Sequence, residues 1–228
     1  MMQPWAAPVS IGGMQKFLKP TIVIVVLVAL AAGAAVLLSR NTDRRPEVST
    51  TPPVDIKGGG HFRGPENAQV TLVEFGDYEC PSCGAYHPFV KEILSRYPDK
   101  LRLEFHHFPL VGVHANAMIG AMAAEAAGEQ NHFWEMHDAL FEHQREWGES
   151  RNPEPILINL ASSIGLDLNR FMQSLRSPAL QQRVLQDVSI ADKLQLNETP
   201  TFLIDGQRVY IKASMEDFVQ VVEAHLHK

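Results

Sequence analysis

Apolar and polar positions along this chain divide it into four stretches. The strongest signal is "TIVIVVLVALAAGAAVLLS", residues 21–39, which carries no charge and almost no polar side chain. A buried core helix of this length would show a polar stripe, whereas an uninterrupted apolar run of this length suits the hydrocarbon core of a bilayer. It predicts a transmembrane anchor, preceded by an N-terminal tail over 1–20 in which Met14 opens "MQKFLKP" and offers a second start. A cleaved signal peptide is the rival reading, since its apolar region usually spans about 7–15 residues before a small-x-small site. Ala29, Ala31, Ala32 and Ala34 would supply such a site, but the run continues through Val36, Leu37 and Leu38, which favours an uncleaved anchor. Lys16 and Lys19 on one side face Arg40, Arg44 and Arg45 on the other, so flanking charge leaves the orientation open.

Residues 40–60, "RNTDRRPEVSTTPPVDIKGGG", have no apolar period and are rich in Pro, Thr and Gly, which predicts a flexible linker. The folded part is expected over 61–227. There "QVTLVEF" reads as a buried strand, a helix follows from about Pro81 with Tyr86, Phe89, Val90, Ile93 and Leu94 on one face, and "LRLEFHHF" alternates as a second strand. Strand, helix, strand predicts parallel pairing in an α/β fold. Residues 113–196 then read as helices, among them "NAMIGAMAAEAAG" and "NHFWEMHDALFEHQ", and form a helical insertion. "TFLI" and "RVYI" around "DGQ" predict a hairpin, and Ser214 with Asp217 caps a closing helix over 214–227.

Composition narrows the function. With 45% hydrophobic residues the chain can bury a core without a disulfide framework, and its two cysteines are free for chemistry. A net charge of −6, with no basic face interleaved with aromatics, argues against a nucleic-acid partner.

Both cysteines lie in "EFGDYECPSCGAYHPF", at the turn from the first long strand into its helix. Cys80 stands where unpaired N–H groups and the helix dipole favour a thiolate. Pro81 fits the first helical position, where its missing N–H costs nothing, and Cys83 one turn on is close enough for a reversible disulfide. This spacing suits thiol–disulfide exchange, with Cys80 forming the mixed disulfide and Cys83 resolving it. Half of a zinc site is the alternative, but no second cysteine pair exists, and no metal set is assigned. His87 with His106, His107 or His114 would complete one only by coincidence of the fold. An inert buried pair is the other alternative, and it has no need of a strand-to-helix turn. Glu74, on a buried strand, is a candidate proton acceptor with a raised pKa. His106 and His107 point to opposite faces of their strand, where a packed or solvated strand-end histidine is the commoner case and lining of the redox groove by one of them the alternative, while His132, His137 and His143 read as helix-surface residues. Pro200 must open its strand or sit in a special turn, and intrinsic preference alone favours a trans bond before it.

Together "PENAQVTLVEFGDYECPSC", "HHFPL", "AAEAAGEQNHFWEMHDALF" and "TPTFLIDGQRV" resemble the DsbA-type branch of the thioredoxin-like superfamily, over residues 61–227 and nearest to its membrane-anchored Cys-Pro-Ser-Cys members. The resemblance implies a thioredoxin fold with a helical domain inserted between its βαβ and ββα halves. It puts Cys80 on the nucleophile, Cys83 on the resolving thiol, Glu74 on the buried acid, and Pro200 on a cis-proline facing the cysteines, with Thr199 pairing with substrate backbone. Pro81 and Ser82 fall on the positions that tune the redox potential. Ser82 and Thr199 stand where the branch's periplasmic type member has histidine and valine, positions that tune the thiolate and the redox potential, and the absence of a histidine between the cysteines implies a less extreme Cys80 pKa.

The expectation is an extracytoplasmic thiol:disulfide oxidoreductase that introduces disulfides into exported or membrane polypeptides. Its cofactor is none beyond the Cys80–Cys83 disulfide, and by resemblance a quinone-linked membrane partner reoxidises it. A reductase or isomerase using the same site is the alternative, and a non-catalytic polypeptide-binding accessory protein is the other class.

Overall fold

The computed structural model describes Ile56 and residues 58–227. The anchor expected over 21–39 and most of the linker lie outside these residues. Among the described residues no helix is long and apolar enough to cross a membrane.

Five strands form one mixed sheet: β1 (His61–Arg63), β2 (Val70–Gly76), β3 (Leu101–His107), β4 (Thr201–Ile204) and β5 (Gln207–Val209), in the order β1-β3-β2-β4-β5. β2 runs parallel to β3, from Val70 opposite Leu101 to Gly76 opposite His107, and α1 (Pro81–Arg96) makes the crossover between them. β4 lies antiparallel on the other side of β2, with Phe75 opposite Thr201, so the end of β2 and the start of β4 meet at one end of the sheet. The cysteine turn and Pro200 are thereby brought together from distant parts of the chain.

Between β3 and β4 the chain makes α2 (Ala117–Gly128), α3 (Phe133–Glu142), α4 (Gln144–Gly148), α5 (Glu154–Ser163), α6 (Leu168–Ser174) and α7 (Pro178–Lys193). The expected helix over "NHFWEMHDALFEHQ" breaks at His143, which is the C-cap of α3. Small side chains let α2 pack closely: a Cβ at Gly120 would stand 2.6 Å from the ring of Trp147, itself fully buried. The Trp147 indole N–H donates to the Leu140 carbonyl (2.8 Å), so the largest side chain of this layer is satisfied as well as buried.

α8 (Met215–Leu226) closes the domain, and the Ser214 hydroxyl accepts the Asp217 N–H (3.2 Å), the cap its sequence predicts. The apolar faces of α1 and α8 pack on one side of the sheet, against Leu72, Leu103, Phe202 and Ile204. The hairpin forms as expected but is shorter, since β5 ends at Val209; Tyr210 is exposed and Ile211 turns back into the core.

One histidine departs from the sequence reading. His137 is buried, because α3 packs against β1 and α1 as well as against the insertion. His106 and His107 point to opposite faces as expected, neither lines the redox groove, and both are packed and fully buried beside carboxylates. His106 lies between Asp187 and Glu104, at 3.0 Å from each, and His107 Nε2 lies 3.1 Å from Glu125.

Candidate active site

The turn that carries the cysteines is shaped by Asp77. Its Oδ1 accepts the Glu79 N–H (2.8 Å) and its carbonyl accepts the Cys80 N–H (3.1 Å), which folds the chain back just after β2. Cys80 consequently arrives as the N-cap of α1 in extended conformation, with Pro81 in the first turn. From the insertion, Gln144 Nε2 donates to the carbonyls of Tyr78 (2.9 Å) and Cys80 (2.8 Å) and holds the turn from the other side.

The two thiols, both free, are held in different surroundings. Cys80 keeps 7% exposure whereas Cys83 keeps none, so an incoming polypeptide can reach only Cys80. A hydrogen bond from Cys83 lowers the Cys80 pKa to about 5 against the opposing effect of burial, with further help from the Thr199 side chain and the N–H groups of Cys83 and Ser82. Burial, with Cys80 and Glu74 nearby, pushes Cys83 well above the ordinary thiol range. Near neutral pH the pair therefore holds one thiolate and one thiol.

Thr199 and Pro200 face this pair, and the peptide bond between them is cis, as the resemblance implies and against the intrinsic preference. As a thiol, Cys80 donates to the Thr199 carbonyl (3.4 Å). The Thr199 hydroxyl is buried without a hydrogen-bond partner. It is the donor that a Cys80 thiolate can claim. Ser82, Tyr86, Pro200 and Tyr210 line a groove of about 200 Å³ beside the turn. Glu74 is 2% exposed in the middle of β2, and burial raises its pKa to about 8, so it carries a proton at neutral pH.

Sequence reasoning missed three polar residues here: Asp77, His114 and Gln144. Asp77 Oδ2 accepts the Leu110 N–H (2.9 Å) and lies 2.7 Å from His114 Nδ1, so the cysteine turn is clamped to the segment after β3. Burial opposes protonation of His114, but the Asp77 carboxylate and the Cys80 thiolate outweigh it and raise its pKa. The one sequence signal was an aspartate three positions before Cys80, since its partners stand 33 and 37 residues away. Tyr78 and His137 are also drawn in: burial keeps both neutral, and the Tyr78 hydroxyl donates to His137 Nδ1 (3.0 Å) beneath the turn.

The thioredoxin family model matches residues 57–224. Among curated proteins, a Na(+)/H(+) antiporter NhaA 1 of Salinispora arenicola is 45% identical over 148 residues, covering 65% of this chain and 22% of that protein. The Na(+)/H(+) antiporter NhaA of Herminiimonas arsenicoxydans is 36% identical over 173 residues, covering 76% of this chain and 26% of that protein. The chain thus spans about a quarter of the length of the curated relatives it matches. Among solved structures, oxidised BdbD from Bacillus subtilis superposes with a TM-score of 0.66 at 24% identity, covering 73% of this chain and 92% of that one. A thioredoxin-like oxidoreductase from Silicibacter pomeroyi gives 0.63 at 25%, covering 74% and 93%, and DsbA from Xylella fastidiosa gives 0.58 at 21%, covering 72% and 90%. A two-thiol helix N-terminus facing a cis-proline, an inserted helical layer and these matches agree: the chain belongs to the thioredoxin family, with the fold of the DsbA-type thiol:disulfide oxidoreductases.

Proposed function

We propose that this domain is an enzyme that introduces disulfides into exported or membrane polypeptides outside the cytoplasm. The observation that carries the reading is the asymmetry of the two thiols: Cys80, reachable and with a pKa of about 5, is a good leaving group, and Cys83 is buried and holds its proton. A stabilised thiolate favours the reduced form of the pair and makes its disulfide an oxidant.

In the forward direction a substrate thiolate attacks Cys80 Sγ of the Cys80–Cys83 disulfide, forming a mixed disulfide and releasing Cys83. Cys83 takes a proton as it leaves, and Glu74, protonated and near enough to raise the Cys83 pKa, is the candidate donor. A second substrate thiolate then attacks the substrate sulfur of the mixed disulfide and Cys80 departs as the thiolate. The substrate loses two electrons and the enzyme gains them, with no cofactor beyond its own cysteines. Thr199 and Pro200 hold the substrate backbone beside Cys80, while Pro81 and Ser82 set the stability of its thiolate. Reoxidation requires an acceptor for two electrons, and a quinone-linked membrane partner is the one the family resemblance supplies.

The apolar run over 21–39, read as an uncleaved anchor, supports a setting at the membrane, and the thiol chemistry favours its outer side, where disulfides persist. The antiporter names of relatives about three times as long also support work beside a bilayer. The test is turnover. Oxidised enzyme added to a reduced, unfolded dithiol protein should yield one substrate disulfide per enzyme disulfide consumed, and Cys80→Ser should abolish it. Undiminished oxidation by Cys80→Ser would overturn the assignment and favour a polypeptide-binding role for the groove.

A further inference from the structure

Away from the cysteines, three side chains from three elements converge on one point. His61 opens β1, His107 ends β3 and Glu125 lies within α2. His61 Nε2 and His107 Nε2 stand 2.7 and 3.1 Å from the same oxygen, Glu125 Oε1. Glu125 and His107 are buried, whereas His61 keeps a quarter of its side chain exposed and, with Glu125, forms part of the wall of an open cavity of about 340 Å³. Arg183 Nη1 binds the other carboxylate oxygen at 2.9 Å, which leaves Glu125 a single oxygen to present to the histidines.

Two imidazoles and a carboxylate are a donor set suited to zinc and its neighbours. Metal–ligand distances of about 2.0–2.2 Å in a tetrahedral shell put adjacent donor atoms about 3.3 Å apart. Here the two N···O separations, 2.7 and 3.1 Å, fall short of that value and all three donor atoms lie within 4.8 Å of one another, so side-chain shifts of up to about an ångström would open the site. The surrounding charge admits a cation. Arg183 offsets Glu125, and Glu104 and Asp187 add two further carboxylates beside the site. His107 Nδ1 is buried without a partner, so no second contact fixes the proton on Nε2. Its transfer to Nδ1 would leave one unpaired N–H, a small cost beside the metal bonds gained.

The other histidine group, His87, His137 and Asp138, is unlike this one. Its carboxylate is already held by both Arg63 guanidinium nitrogens at 3.0 Å, with Lys91 3.5 Å away.

We infer that His61, His107 and Glu125 form a site for one zinc-like divalent transition-metal ion, with the fourth position open to the cavity for water. Such an ion would tie the first strand of the folded domain to β3 and to the inserted helices. It is independent of the thiol chemistry.

The test uses the full chain without a histidine tag, Cys80 and Cys83 oxidised so that no thiolate competes. It is dialysed against zinc chloride with excess magnesium and calcium, and bound metal is measured by elemental analysis. One zinc per chain is expected, together with a higher midpoint of thermal unfolding. His61→Gln keeps an N–H donor for Glu125 but removes a ligand, and should lower zinc affinity at least about tenfold while leaving the metal-free unfolding midpoint close to that of the original chain. No zinc on the original chain, or unchanged affinity in His61→Gln, would overturn the site. Should that variant fail to fold, cobalt(II) loading of the original chain decides instead. Intense visible bands of a four-coordinate ion without thiolate charge transfer are expected, and their absence refutes the proposal.

Discussion

At the scale of single residues, the site works by giving two chemically identical thiols opposite preferences. Thr199 is the side chain outside the cysteine turn that touches this balance most directly, since its buried hydroxyl has no partner until Cys80 ionises. A hydrogen bond to a charged group is worth about 1.5–3 kcal/mol. Thr199→Val should therefore raise the Cys80 pKa from about 5 by about 1–2 units. Because the thiolate stabilises the reduced state, the same change should make the pair a weaker oxidant by about 30 mV per unit. Iodoacetamide alkylation of the reduced chain against pH reads the first quantity, with a midpoint near 5 before substitution. An unmoved midpoint would mean that the hydroxyl never reaches the sulfur.

This scale was the most legible in the sequence for Cys80, Cys83 and Pro81, because their relation is local: three residues at the head of one helix fix their own geometry. Asp77, Gln144 and His114 were not legible as a group, because each acts through a contact far along the chain. Glu74 is intermediate. Its strand announced burial, and burial is what raises its pKa to about 8.

At the scale of elements, close approach of α2 to Trp147 packs the inserted helices on one another beside Gln144, which holds the cysteine turn. That packing depends on the absence of a side chain at Gly120, where an added Cβ would meet the indole at 2.6 Å. The indole is fully buried and tethered by its N–H to Leu140, so it cannot swing aside. Overpacking of this kind costs about 1–3 kcal/mol, partly offset by the higher helix propensity of alanine. Gly120→Ala should lower the stability of the oxidised chain by an amount in that range in urea unfolding with an unchanged slope, and a stabilised variant would show that α2 and α4 are not closely packed.

Apolar periodicity located most elements, since a helix or strand with one buried face writes that face into the sequence. It failed for His137, which reads as surface because its helix is covered on more than one side by partners from distant positions. It also overextended the hairpin past Val209, where Tyr210 faces solvent despite its strand-like character. The cis bond before Pro200 could not be read from local preference and came only from the resemblance.

At the scale of the whole molecule, a buried ion cluster joins the sheet to α7. His106 sits between Asp187 and Glu104, and Asp187 also accepts the His107 N–H (2.9 Å). Gly59 and Gly60, with φ of +77° and +73°, pass directly against this cluster, where a Cβ would come within 2.2 Å of Asp187 and 2.8 Å of His106. Burial alone would depress the His106 pKa, but its two carboxylate partners raise it to about 9. A folded-state pKa above the unfolded value gives stability that is fully present below about pH 6.5 and is lost as pH rises through about 9. The shift corresponds to roughly 3 kcal/mol. Urea unfolding at a series of pH values should show this loss across that window, and His106→Gln should flatten it while lowering stability at neutral pH. A variant as stable as the original chain at neutral pH would mean that the histidine is not charged in the fold.

The central claim is that this domain is a disulfide-introducing oxidant, and the reduction potential of the Cys80–Cys83 pair tests it most directly. The full chain is equilibrated against glutathione buffers and the two thiols are counted by alkylation. A potential between about −180 and −120 mV, in the region of oxidants, is the result predicted by a thiolate at Cys80 and a protonated Cys83. A value at or below about −270 mV, the region of thioredoxin, would contradict it and make the domain a reductase.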